Sequence, residues 1–180
     1  LRHLGYVVEP VRTNSLADVA GAMSRIGELT GKEEPARRAV QDYESGLAAI
    51  RRPIKPDGDI RVFYQVSARP LYTINHEHFI SEIIEVCGGR NVFADVEGFA
   101  PSVDIEAVLD RDPEVMLAGA NVGDDAFAEW DRWPQLAANR RGNRFLLPDE
   151  TIGRPSPRLA QAAQFLCDAL DNARANRLSP

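Results

Sequence analysis

Cysteine, histidine and long apolar runs are scarce in this sequence, and each scarcity narrows the function. Two cysteines and three histidines in 180 residues leave little material for a thiolate or imidazole metal cage. No stretch of about 18 apolar residues occurs, so no transmembrane helix is expected. No GxGxxG, Walker loop or GxSxG elbow is present, which leaves dinucleotide binding, P-loop chemistry and an α/β-hydrolase site without their signatures. The last histidine is His78, so the serines and cysteines after it have no downstream imidazole to activate them. Positive charge is not in excess: 21 Lys and Arg stand against 27 Asp and Glu, a net charge of −6. With the two signs interspersed, this argues against non-specific nucleic-acid binding and against an anionic membrane surface. The opening LRHLGYVVEPV has no Met and leads through Tyr6–Val8 as a strand without a partner. It is expected to begin inside a longer protein.

What is present reads as a packed globular chain, with 44% hydrophobic residues. Ser15 followed by Asp18 resembles a capping box, and Leu16, Val19, Ala20, Met23 and Ile26 recur at helical spacing up to Gly31. A second apolar face runs from about Glu33 to Arg51. Together they predict a long, nearly continuous helical segment. Pro53, Pro56 and Asp57-Gly58 then make a turn. Strands are predicted at Arg61–Val66, Glu114–Ala118 and Arg144–Leu147. Helices are predicted from an Asn75 cap to Cys87, from an Asp104 cap to Pro113, and from a Ser156 cap and Pro157 to about Arg174. Gly88-Gly89 reads as a helix stop.

Strand and helix therefore alternate after residue 57. The fold class is α/β: a mostly parallel sheet with helices on both faces, preceded by a long helix. Ligands of such sheets sit at the carboxyl ends of strands, here the loops Ser67–Asn75, Gly119–Asp124 and Pro148–Ser156. Tyr72 and Arg154 lie in two of these loops. An aromatic wall and a planar cation suit the apolar face and polar edge of a ligand. Arg154 and Arg158 crowd the expected start of the last helix, where a cation is unfavourable by ~0.3–1 kcal/mol. His76 and His78 do not share a helix face, so they read as a solvated helix start rather than a metal pair. Trp130 and Trp133 are expected to be partly buried. Glu106 is expected on the exposed first turn of its helix. Cys87 and Cys167 are either two buried thiols or one disulfide, and the residues alone leave both open.

The stretches EIIEVCGGRNVFADV, PSVDIEAVLDRDPEVML and RPSPRLAQAAQFLCDAL together resemble the C-terminal lobe of the cobalamin branch of bacterial periplasmic binding proteins. These serve ABC importers and form one class with siderophore and haem binders. SLADVAGAMSRIGELTGKEEPARRAV resembles the segment bridging the two lobes in that class.

The resemblance implies residues 1–14 as a remnant of the N-terminal lobe, 15–56 as the interlobe helical segment and 57–180 as the C-terminal lobe. It implies a Cys87–Cys167 disulfide, worth ~2–4 kcal/mol as a link across a long loop. It implies that Tyr72, Phe99, Ala100, Glu150 and Arg154 face a corrinoid, and that Glu106 docks on an ABC permease. No cofactor beyond the transported ligand, no catalysis and a periplasmic or lipid-anchored location follow. Two departures stand out: Ala100 occupies a position where a member of the family carries a tryptophan, and the N-terminal lobe is missing. The chain is thus expected to hold half a cleft, to bind weakly and to be open to self-association. The alternatives are a haem or iron-siderophore binder and an α/β metal-dependent enzyme.

Overall fold

The computed structural model describes residues 2–5, 8–53, 58–148 and 152–177. Tyr6 and Val7 of the expected opening strand lie outside them. A short 3-10 turn, Arg2–Leu4, comes first. Helix α1 (Leu16–Thr30) is followed by α2 (Glu33–Ile50). Then come β1 (Ile60–Gln65), the hairpin β2 (Ser67–Ala68) and β3 (Leu71–Tyr72), α3 (Phe79–Val86) and β4 (Gly89–Asn91). The chain continues with α4 (Ile105–Arg111), β5 (Val115–Gly119), α5 (Ala137–Arg140), β6 (Arg144–Leu147) and α6 (Leu159–Arg177).

The main sheet has the order β4-β1-β5-β6, with every pairing parallel. Its register sorts side chains between two layers. Val62 pairs with Val115 and Tyr64 with Leu117, and these four face the core built on α3, α6 and the α1–α2 pair. Phe63 pairs with Met116, and both face the opposite core with Phe93, Val108, Trp130 and Leu136. Burial on both sides explains why β5 (VMLAG) is a continuous apolar run and why β1 carries Val62, Phe63 and Tyr64 in succession. Each such side chain contributes about 1.5–3 kcal/mol when fully buried.

The helical segment before the sheet differs from expectation in one respect. It is two helices folded back on each other at Gly31, which takes a left-handed conformation with φ 63° and closes α1. The Tyr43 hydroxyl donates to the Leu16 carbonyl at 3.3 Å, and a Cβ on Gly27 would lie 2.4 Å from the Ala36 Cβ. The apolar stripes of the two helices therefore meet each other as well as the lobe. The Ser15–Asp18 capping box forms in both directions. Glu82 of α3 accepts the Leu16 N–H at 3.2 Å, tying α1 to the sheet layer.

Four local expectations shift. Helix α3 starts at Phe79 with His78 as its cap, while the Asn75 side chain instead accepts the Glu77 N–H. The last helix starts at Leu159, so Arg154 stands five residues outside it, beyond the reach of the dipole. Trp130 is 1% exposed rather than partly buried, because its indole N–H has found a buried acceptor in Gln65. Strand β4 went unpredicted, since three residues carry no periodicity. Cys87 and Cys167 form a disulfide with Cα atoms 4.8 Å apart, joining the end of α3 to the middle of α6. Gly88 beside it takes φ 71°, and a Cβ there would meet the Arg174 guanidinium at 2.8 Å.

Candidate functional site

At the carboxyl edge of the sheet, β1 ends on Gln65 and β5 on Gly119. Gln65 is fully buried, and a buried amide needs partners. Its Nε2 donates to the Ala126 carbonyl at 2.6 Å, and its Oε1 accepts from Trp130 Nε1 at 2.8 Å. This pins the loop after β5 against the end of β1. Thr73 Oγ1 donates to the Tyr64 carbonyl at 2.8 Å and holds the β2–β3 hairpin to the same edge.

These pinned loops enclose a cleft of about 250 Å³ whose lining includes Gln65, Val66, His78, Gly119, Asn121 and Arg154. A second cleft of about 480 Å³ continues from it through Val66 and Asn121 towards Arg69 and Glu129. All three post-strand loops thus contribute to one open, polar edge. The first cleft alone is smaller than the ~300–1,000 Å³ that encloses a whole small-molecule ligand, and both clefts are open to one side, so together they read as one wall.

Arg154 is exposed, lines the first cleft and has no ion-pair partner among the described residues. An arginine with no carboxylate partner among the described residues can turn its donor fork to a ligand oxygen. Glu150 lies outside the described residues. Phe99 reaches the cleft through His78: their ring centroids are 4.5 Å apart at 31°. Ala100 is exposed beside Phe99. Tyr72 sits half-buried in β3, its carbonyl accepting the Val66 N–H at 2.9 Å. Neither Tyr72 nor Ala100 lines the two clefts. Glu106 is exposed in the first turn of α4, whose Asp104 cap accepts the Ala107 N–H at 2.7 Å.

His78 was expected to be a solvated helix start. It is half-buried between Phe79 and Phe99 rather than solvated. Burial drives its pKa down to about 4, so the ring is neutral at pH 7. His76 plays no part in the cleft; its Nδ1 lies 2.8 Å from the Ala94 carbonyl. The HEH triplet was visible in the sequence, but only the fold brings Phe99 against its second histidine. Among the described residues, no group of three or more His, Cys, Asp or Glu side chains is placed to hold a metal ion.

A family model described as periplasmic binding protein matches residues 2–151. The vitamin B12-binding protein of Vibrio parahaemolyticus is 28% identical over 98% of the chain, which spans 64% of that relative. The vitamin B12-binding protein of Vibrio cholerae is 30% identical over 97% of the chain, which spans 63% of it. The chain therefore covers just under two thirds of these curated relatives. Among solved structures, the periplasmic vitamin B12 binding protein BtuF of Vibrio cholerae superposes with a TM-score of 0.73 at 27% identity, over 96% of this chain and 68% of that one. IsdE of S. aureus, solved with heme, superposes with a TM-score of 0.80 at 16% identity over 94% of this chain and 70% of that one, a likeness of fold alone.

Proposed function

The chain belongs to the periplasmic binding protein family, and from that premise we propose that it is the C-terminal lobe and interlobe segment of an ABC importer's substrate-binding component. Its ligand is cobalamin or a related corrinoid. Residues 1–14 are the end of the other lobe, 15–56 the interlobe segment and 57–180 the ligand-bearing lobe. The single observation that carries the ligand is the shared sequence with vitamin B12-binding relatives along almost the whole chain. The polar cleft at the carboxyl edge, with Arg154 on its wall and without an ion-pair partner among the described residues, supports it.

Capture in this reading is mechanical rather than chemical. A flat macrocycle lies against Phe99 and His78, Arg154 meets polar groups at its edge, and the opposing lobe closes over it. Tyr72 and Ala100 lie outside the two clefts, and their contact with the ligand, like that of Glu150, rests on the resemblance alone. Glu106, on a different helix, remains outside for docking on the permease. No helix among the described residues is long and apolar enough to cross a membrane.

A haem or iron-siderophore ligand is the second reading, and a histidine in the cleft wall is the observation that favours it. Spectrophotometric titration with cyanocobalamin and with haem decides between them. Saturable cyanocobalamin binding, weaker than a closed two-lobe site achieves, is expected. Haem binding with a Soret shift and no response to cyanocobalamin overturns the corrinoid assignment.

A further inference from the structure

One side chain on the cleft wall has its chemistry set by a contact outside the cleft. His78 Nδ1 accepts the Ile80 backbone N–H at 3.2 Å and caps helix α3. A neutral imidazole that accepts at Nδ1 carries its proton on Nε2. Burial keeps the ring neutral. Nε2 has no hydrogen-bond partner among the described residues, and it is not among the side-chain atoms sealed from solvent. The ring itself is held between Phe79 and Phe99, at 4.5 Å from each, and lines the 250 Å³ cleft. A helix cap therefore fixes the tautomer of a group that a ligand would meet.

We propose that His78 is a specificity-determining ligand contact: its Nε2–H donates to a neutral carbonyl oxygen on the rim of a flat macrocycle, and its ring extends the Phe99 wall. The inference rests on the corrinoid reading of this cleft and deepens it. A neutral donor adds no charge attraction for carboxylates, so the rim it suits is one of carboxamides. Coordination is disfavoured by the same cap. A metal needs the Nε2 lone pair, so the proton would have to move to Nδ1 and α3 would lose its side-chain cap. The ring reads the ligand by donation. Phe99, next to Ala100, recovers part of the aromatic surface absent at that position.

The test uses this chain with cyanocobalamin and with haem as probes, comparing wild type, His78→Ser and His78→Asn. Serine keeps an oxygen for the cap and removes both ring and N–H. Asparagine keeps a cap and an N–H donor. His78→Ser is expected to weaken cyanocobalamin binding about five- to tenfold, the size of one lost bond plus ring contact. Its thermal midpoint stays near wild type, and His78→Asn recovers part of the affinity. Nitrogen NMR of the free protein is expected to show the Nε2–H tautomer, with that resonance moving on cyanocobalamin addition. Unchanged cyanocobalamin affinity in His78→Ser, or an Nδ1–H tautomer, overturns the contact while leaving the corrinoid reading intact. A His78-dependent Soret shift with haem overturns donation in favour of coordination. Failure of wild type to bind cyanocobalamin overturns the parent reading and this contact with it.

Discussion

The two ends of the central sheet are built on opposite principles. At the amino end, a charge cluster around the buried Glu114 is engaged by protein partners, with the buried Asp59 Oδ1 beside it the exception among the described residues. Glu114, 5% exposed at the start of β5, accepts from Arg177 Nη2 at 2.7 Å and from Arg141 Nη1 at 3.0 Å, with Arg61 Nη1 at 3.4 Å. Arg174 donates to the carbonyls of Cys87 and Gly88 at 2.6 and 2.7 Å, next to the disulfide. These contacts lock the last turns of α6 onto the starts of β1, β4 and β5. At the carboxyl end, Arg154 and the His78 Nε2 stand without protein partners among the described residues. Polar groups that stabilise the fold are satisfied by the fold; those left unsatisfied at the edge of a cleft are available to a ligand.

That contrast breaks first, and hardest, at the amino end. Replacing both Cys87 and Cys167 by serine frees a loop closed over a sequence separation of 80 residues. Loop entropy of that size predicts a loss of ~4 kcal/mol in urea unfolding; a loss below ~1 kcal/mol would show that the amino end is locked without the bridge. Glu114→Gln comes next. Removing one partner from a buried charge cluster costs about 3 kcal/mol, because three arginines are left facing a neutral amide.

The pH dependence separates the two ends. Burial raises the Glu114 pKa, but the hydrogen bond from Arg177, the Arg61 N–H and the charges of both arginines outweigh it, so the net shift is downward. A carboxylate with a depressed folded pKa contributes stability that is present above its unfolded value and lost as pH falls through the folded one. Stability is therefore expected to drop below about pH 4.5, and Glu114→Gln should flatten that drop in acid melts. His78 acts at higher pH. Its pKa falls from 6.5 to about 4, so the unfolded chain takes up a proton that the folded ring refuses. Its contribution erodes as pH falls from 6.5 towards 4, and His78→Ser should remove that part of the slope.

The smallest effects on stability belong to the carboxyl end. Arg154→Ala should change unfolding by less than about 0.5 kcal/mol. The same variant should weaken cyanocobalamin binding by about tenfold, the cost of a charge-assisted bond. A destabilised Arg154→Ala with unchanged binding would erase the distinction between the ends. Glu106→Gln should alter neither stability nor ligand binding, and should reduce only importer ATPase stimulation in reconstituted vesicles.

Several features were legible because their causes are local. Ser15–Asp18, the Asp104 cap and the helix stop at Gly88 each depend on a few neighbouring residues, and each formed as read. The alternation of strand and helix after residue 57 announced a mostly parallel sheet covered on both faces. The span of the edge strand β6, Arg144–Leu147, was also as expected. The candidate site was legible only in part. Arg154 could be placed at a strand-end loop, and it lines the cleft there. Tyr72 could be placed in such a loop too, yet its hairpin turns it aside from both clefts. The disulfide partner and the ligand class came from resemblance, since pairing of two cysteines is a matter of distance in space.

Composition and periodicity by themselves determined an α/β chain with two covered faces, capped helices and no membrane-spanning run, because those properties follow from burial and backbone hydrogen bonding over short stretches. Tertiary structure alone decided the fold-back of α1 on α2, the complete burial of Trp130 and the conversion of His78 from a solvated helix start into a neutral donor on a cleft wall. Each of these depends on which distant residue arrives beside it: Ala36 against Gly27, Gln65 under Trp130, Phe99 over His78. A single strand of text carries no distances between such pairs, and it is the distances that set burial, tautomer and charge.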